Sequence, residues 1–499
     1  MVSAMLSRAI GLVRVKYIAY LFGRSAAADA FNAAFQLPDM ISYFLIGGAA
    51  SISFVTMLSR YDETGRREEG ERTMSVILTT MVLVLGAAIL LAEYLAGAYV
   101  RLLLTGFESD PSKAALCVGL TRILLPAQLF FLAGGVFGAV LIARRQFNIQ
   151  VVTPLIYNCG TILGGVLLAR RLGVSSLAFG TLAGAFFGPF LLNAVYARRA
   201  GMRYRPILDW KDPGLREWFR MSLPLIIGFS LVTVDNWIIN FFASRVGGAV
   251  SLLTYAKQLF TAPVALGQAA GIASLPFLAA LHAKSDRAPF ARAVNASVSR
   301  ILSFSILLSS WMIAMAGPAV DLVYRGGDFH RADAGAMARY FAIFSLSLCF
   351  WTSQAIYSRA FYAAGNTLTP MVASTLVVAA LLPVYTALFH AMGPIGLAVA
   401  SDAGIFVQTI VLAVLLDRRG MAPLAGLDYR ELGCSLLASA ASFVALMALR
   451  HVAAWSSRPQ ELVLLSLSGV VWAALSGVAL RLTGSALPGQ LLRRLRASE

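Results

Sequence analysis

Eight charged side chains, seven inside otherwise apolar stretches and one just past the end of one, are the candidates from which any chemistry in this chain starts. Arg8, Arg14 and Lys16 lie in the first apolar stretch, and Arg24 lies just past its end. Asp39 follows Pro38 in the second, where the proline removes a backbone hydrogen bond and kinks a helix. Asp235-Asn236 sits in the middle of a later stretch, Lys257-Gln258 in the one after it, and Asp402 is a lone acid further on. A charge at the bilayer centre costs about 2.5–3.5 kcal/mol or more, so such groups usually face a cavity or the bundle interior. Arg pairs bidentately with phosphate oxygens, and Lys serves as a point charge, so a cavity lined by them suits an anion. Arg8 and Arg14 also have the option of snorkelling to an interface. On a helix Arg14 and Lys16 point about 200° apart, so they cannot both face one cavity squarely. Asp235 and Lys257 are a candidate buried ion pair. Asp402 reads as a packing group or as a proton or ion site.

The elements that must position these residues follow from composition. The chain has 499 residues, of which 59% are hydrophobic and 13% charged. Its mean hydropathy is +0.75. A soluble domain carries about 25% charge, and its core stops growing near 250–300 residues. Disordered, collagen-like and disulfide-scaffold classes fail on the same figures. The class that remains is an all-α polytopic membrane protein. Runs of roughly 20 apolar residues predict about fourteen transmembrane helices. Their approximate spans are 4–23, 29–58, 74–100, 115–143, 150–169, 175–197, 218–243, 249–281, 297–323, 335–362, 369–391, 394–416, 432–454 and 461–482. The links are too short to hold a soluble domain.

Lys+Arg number 41 against 24 Asp+Glu, a net charge of +17. In a soluble protein that would raise nucleic acid; here it predicts cationic cytoplasmic loops and no nucleic-acid partner. One parity of loops carries Arg60, Arg66, Arg67 and Arg72, then Arg144-Arg145, Arg198-Arg199, Lys284 and Arg287, and Arg418-Arg419. Arg170-Arg171 is the exception on the other side. The rich side is expected to be cytoplasmic, with both termini inside. The basic tail from Leu491 to Arg496 is expected to lie on anionic headgroups of membrane lipids. Cys117, Cys159, Cys349 and Cys434 are scattered, and His282, His330, His390 and His451 form no ligand cluster, so no metal is expected. GxxxxGK[ST], GxSxG and HExxH are absent. The expectation is a non-enzyme without cofactor, driven by the membrane potential, an ion gradient or a partner's work.

An internal repeat organises the helices. Thr153-Pro154 and Thr369-Pro370 open corresponding spans 216 residues apart. Ala50-Ser51-Ile52-Ser53-Phe54 pairs with Ala273-Ser274-Leu275-Pro276-Phe277 at a similar offset. Six helices restore the starting orientation, so the repeat is parallel, about an axis along the membrane normal. The expected architecture is two six-helix lobes around a central cavity plus two further helices. The lobes would be residues 1–200 and 201–425, with 426–499 holding the last two helices and the tail. Small-molecule anion transporters and lipid-diphosphate flippases both fit this layout, and the residues themselves do not choose between them.

Several segments resemble the MurJ/MviN family of the MOP superfamily. They begin with Ser7-Arg8-Ala9-Ile10-Gly11-Leu12-Val13-Arg14, Leu21-Phe22-Gly23, Ala28-Asp29-Ala30-Phe31 and Phe35-Gln36-Leu37-Pro38-Asp39. Leu253-Thr254-Tyr255-Ala256-Lys257-Gln258-Leu259 follows, and that span ends Leu275-Pro276. Tyr324-Arg325-Gly326-Gly327-Asp328-Phe329 and the run from Phe361 to Pro370 complete the set. The resemblance implies a lipid II flippase, which exports undecaprenyl-diphosphate-linked peptidoglycan precursor to the periplasmic leaflet of the bacterial inner membrane. It implies a polyprenyl-diphosphate lipid as substrate, cell-wall synthesis machinery as partner, and cavity arginines that engage the diphosphate. On this pattern Arg14 keeps the first-helix arginine, and Lys257 stands where the family has Arg, keeping the charge without the fork. Ser42, Tyr43 and Gly47-Gly48 stand where the family usually shows Arg-Arg and Glu-Gly, and Tyr20 replaces a further arginine. Arg24 and Lys16 are candidate compensating cations. The chain is therefore expected to be a divergent member. Lipid II is the leading cargo and another polyprenyl-diphosphate oligosaccharide the alternative. A cation-coupled multidrug exporter would instead make Asp39, Asp235 and Asp402 the essential residues. A membrane scaffold would tolerate loss of every intramembrane charge.

Overall fold

The computed structural model describes residues 2–489 apart from 46–53, 55, 56, 59, 62, 63, 145, 147, 228–230, 284–286 and 454–456. Gly47-Gly48, the segment Ala50–Ser53, Arg145, Lys284 and the basic tail lie outside the described residues. The regular elements among the described residues are helices, with one isolated bridge between Gly326 and Phe329. Nine described helices are long and apolar enough to cross a membrane. The number is ten if Arg331–Leu346 and Leu348–Ala363, bent by 43°, form one span. The four other expected spans are those near 4–23, 29–58, 218–243 and 249–281. They are the stretches that carry Arg14, Asp39, Asp235 and Lys257. Charged or broken helices are where transporters place binding sites. The total of fourteen crossings stays an expectation.

Two breaks have a common local cause. A proline ring clashes with the carbonyl four residues before it. Pro38 stands four residues after Ala34, where the Ala26–Ala34 helix ends. Pro318 stands four residues after Ala314, where the Arg287–Ala314 helix ends. The bend at Ser347 has another origin: its Oγ donates to Phe344 O at 2.9 Å, and Ser345 Oγ donates to Phe341 O at 2.6 Å. Such back-bonding bends helices. Pro189, which lacks an amide hydrogen, lies in a π turn over Phe186–Leu192.

By its packing the chain forms two compact units, residues 1–228 with 240–251, and 229–239 with 252–499. In the first, Phe54 stacks on Trp218 with centroids 5.3 Å apart, above a core of Met74, Ile77, Leu132 and Val136. At one edge Arg60 donates to Glu217 at 2.8 and 2.7 Å, and this hydrogen bond holds the Glu217 carboxyl below its ordinary range. The pair is exposed, so it contributes at most about 1 kcal/mol. That contribution is present above the ordinary carboxylate titration and lost as the pH falls through the lowered one.

The Asn148–Leu172 and Ser175–Ala185 helices meet through glycine. A Cβ on Gly164 would lie 2.5 Å from Ser176 O, and one on Gly184 would lie 2.6 Å from Tyr157 O. The Thr161 and Thr181 hydroxyls bond at 2.9 Å across the same seam. In lipid, close backbone approach and such bonds are what hold helices together. Gly164→Leu is expected to force the helices apart and to destabilise the protein by about 1–3 kcal/mol. Thermal unfolding in detergent reads this as a lower Tm, and an unchanged Tm would contradict the close seam.

The second unit is built on Phe290, Val294, Ile356, Phe361 and Leu412. The Tyr429–Val452 and Arg458–Leu482 helices pack within it. Trp472 Nε1 donates to Leu307 O at 2.9 Å, Trp311 Nε1 to Ser468 Oγ at 3.0 Å, and Ser442 bonds Ser476 at 3.0 Å. Each Thr-Pro pair of the repeat lies near the start of a helix, in Asn148–Leu172 and in Leu368–Met392.

Candidate functional site

In the second unit Asp235 is the centre of a buried polar cluster. It lies on the Leu231–Ala243 helix and is 1% exposed. Lys257 Nζ, from the Ala249–Ala283 helix, donates to Asp235 Oδ2 and, at 2.7 Å, to Asn236 Oδ1. Tyr385 OH donates to Asp235 Oδ1, and Ser401 Oγ donates to Oδ2 at 2.8 Å. Tyr385 lies two residues after Pro383 in the Leu368–Met392 helix, and Ser401 lies two turns into Pro394–Arg418. A buried carboxylate is tolerable only when paired and hydrogen-bonded, and this one is both. The Lys257 side chain keeps 17% exposure, so the ammonium remains reachable. Asp402, next in sequence to Ser401, is half-buried, and its Oδ1 has no hydrogen-bond partner.

The first unit holds the other principal cation. Arg14 is half-buried with its guanidinium 5.6 Å from the centre of the Tyr157 ring, and its Nε is buried without a hydrogen-bond partner. No ion pair among the described residues joins it to Asp39. Ser42 donates to Gln128 Oε1. Lys16 is half-buried two residues beyond Arg14. Arg24 is placed elsewhere. It lies past the end of the Val2–Phe22 helix, ten residues or about 15 Å of helical rise beyond Arg14, and packs against Gly248. The structure thus brings Arg14 and Tyr157 together and sets Arg24 apart from them.

Sequence reasoning singled out Asp235, Lys257 and Asp402 but missed Tyr385, Ser401 and Tyr157. A tyrosine or serine inside an apolar span was the available signal. It also missed the role of Asp29, which is fully buried. Asp29 accepts from Lys113 Nζ at 2.9 Å, Gly248 N at 2.7 Å, Ser251 N at 2.9 Å and Ser251 Oγ at 2.8 Å. It therefore caps the start of the Ala249–Ala283 helix from a distant helix, supplying the acceptor that first-turn amides lack. Lys113 sits 4.1 Å from the centre of the Phe107 ring. Asp29→Ala would leave Lys113 and two amides unpaired in the interior. A loss of about 3–5 kcal/mol is expected. Unfolding of the purified variant measures it, and wild-type stability would remove the capping role. The Tyr324–Phe329 loop is also structural: Arg325 joins Asp321 at 3.0 Å and Glu461 at 3.2 Å.

Chemically, the arrangement offers a guanidinium N–H with no acceptor and an ammonium held by a carboxylate that an incoming anion can replace. No group of three metal-ligating side chains occurs among the described residues.

A family model described as lipid II flippase MurJ matches residues 18–470. The probable lipid II flippase MurJ of Vibrio cholerae is 26% identical over 436 residues, covering 84% of this chain and 82% of that protein. The lipid II flippase MurJ of Burkholderia cenocepacia is 26% identical over 430 residues, with 84% and 82% covered. Among solved structures, a lipid II flippase MurJ in an inward closed conformation aligns with a TM-score of 0.80 at 21% identity, over 96% of this chain and 98% of that one. An inward-facing multidrug resistance MATE family transporter of the MOP superfamily aligns with a TM-score of 0.67 at 14% identity, over 83% and 98%. These structural likenesses establish the fold.

Proposed function

Because the chain belongs to the lipid II flippase MurJ family, we propose that it moves lipid II from the cytoplasmic to the periplasmic leaflet of the bacterial inner membrane. The family match over residues 18–470 carries this reading. The diphosphate is engaged by Arg14, through the Nε–H that lacks an acceptor, and by Lys257. Lys16 is a further cation near Arg14, whereas Arg24 lies too far from Arg14 to share one phosphate with it. Asp235 holds Lys257 while cargo is absent, and Asp39 is a counter-charge for Arg14 that does not bond to it. The cycle is alternating access. Both termini are cytoplasmic, and the cell-wall synthesis machinery hands over the cargo. Negative charge leaving the cytoplasm is favoured by ~2.3 kcal/mol per charge per 100 mV, so the membrane potential, or an ion gradient, drives or resets the cycle.

A cation-coupled exporter needs an acid open to its coupling ion. Asp235 does not offer one, because an ammonium and two hydroxyls already occupy its oxygens, so such an exporter would have to rely on Asp402, whose Oδ1 is without a partner. Complementation of cells depleted of their lipid II flippase tests the proposal. Growth and normal shape are expected. Failure with good membrane expression would overturn lipid II as cargo and favour another polyprenyl-diphosphate oligosaccharide.

A further inference from the structure

The Leu368–Met392 and Pro394–Arg418 helices, joined at Gly393, pack closely at the joined end. There a Cβ on Gly396 would lie 2.0 Å from Leu388 O. Toward the other end they enclose a lateral groove of about 640 Å³, lined by Thr369, Val372, Leu376, Val407, Val411 and Leu415 among others. This volume falls within the ~300–1,000 Å³ of small-molecule sites. Leu376 is 65% exposed, so the groove opens sideways.

Its mouth is cationic. Arg419 Nη2 donates to Thr369 Oγ1 at 2.9 Å, and Thr369 itself lines the groove. The Arg419 guanidinium lies 5.5 Å from the centre of the Phe361 ring. Phe361 and Thr369 belong to the run from Phe361 to Pro370 that resembles the family, and here they seat Arg419 at the groove's polar end. Arg418 and Arg419 are both exposed. The loop that carries them belongs to the lysine- and arginine-rich parity, which faces the cytoplasmic leaflet and its anionic lipids.

We infer that this groove binds an acidic phospholipid, with an acyl chain along Val372, Leu376 and Val411 and the phosphate on Arg418 and Arg419. The charge at the mouth selects the headgroup, and the apolar walls hold the chain. The inference rests on the membrane-spanning reading and is independent of the cargo, whose diphosphate belongs to Arg14 and Lys257. The lipid is a resident ligand that fastens the open ends of the two helices.

The test is thermal unfolding and native mass spectrometry of the full chain in detergent, with phosphatidylglycerol, phosphatidylcholine or undecaprenyl phosphate added. Phosphatidylglycerol is expected to raise Tm and to remain bound, with phosphatidylcholine at least roughly tenfold weaker. R418Q/R419Q is expected to bind phosphatidylglycerol no better than phosphatidylcholine. Val411→Trp, which fills the groove and keeps both arginines, is expected to lose it as well. Equal shifts from both phospholipids, or a phosphatidylglycerol shift that survives both variants, would overturn the assignment. So would retention of undecaprenyl phosphate in place of phosphatidylglycerol.

Discussion

Replacing Arg14 with alanine is expected to lower lipid II translocation roughly tenfold to hundredfold while leaving the protein folded. A hydrogen bond to a charged group contributes about 1.5–3 kcal/mol, which converts to that range. The fold should survive because Arg14 has little structural work. It forms no ion pair among the described residues, its Nε has no acceptor, and its nearest aromatic partner is the Tyr157 ring. A cation over an aromatic face contributes roughly 0.5–2 kcal/mol. Arg14→Lys keeps the charge and loses the planar fork, so intermediate activity is expected. Translocation by R14A at the wild-type rate, at equal expression, would remove the diphosphate role from this residue.

Asp235→Ala is expected to have the larger effect on stability. It strands the Lys257 ammonium and leaves the Tyr385 and Ser401 hydroxyls without their acceptor. Breaking a buried pair on one side costs about 3–5 kcal/mol. Replacing both partners with neutral groups of similar volume is often neutral, so D235N/K257M is expected to recover most of the lost Tm. The asparagine carbonyl accepts from one of the two hydroxyls, and its amide nitrogen donates to the other. On the proposed role of Lys257, translocation should not recover, because the ammonium is gone. If the double variant transports like wild type, the pair is a structural element and Lys257 leaves the mechanism.

Much of the fold was legible because the bilayer imposes a length: apolar runs of about 20 residues mark helices without any knowledge of their neighbours. Helix breaks were legible where a proline caused them, as at Pro38. The bend at Ser347 depends on side-chain bonding that an apolar-run count does not register. Asp235 and Lys257 stood out as charges in apolar spans, and their separation allowed a pair. Asp29 did not stand out, because its partners lie 84, 219 and 222 residues away and only folding brings them together. Tyr385 and Ser401 were hidden for the same reason, since an isolated hydroxyl on a helix often satisfies its own backbone. The displacement of Arg24 from Arg14 was legible in outline, as ten residues of helix exceed the reach of one phosphate group.

On the proposed mechanism, protein cations engage the diphosphate headgroup of lipid II and carry it across the membrane. Reconstitution of the purified chain into liposomes loaded with lipid II, followed by quantifying the lipid II that reaches the opposite leaflet, tests it directly. Transfer by wild type that collapses in R14A and in D235N/K257M is the predicted result. A well-folded wild-type protein that leaves lipid II in its original leaflet under an imposed membrane potential or ion gradient would contradict the account.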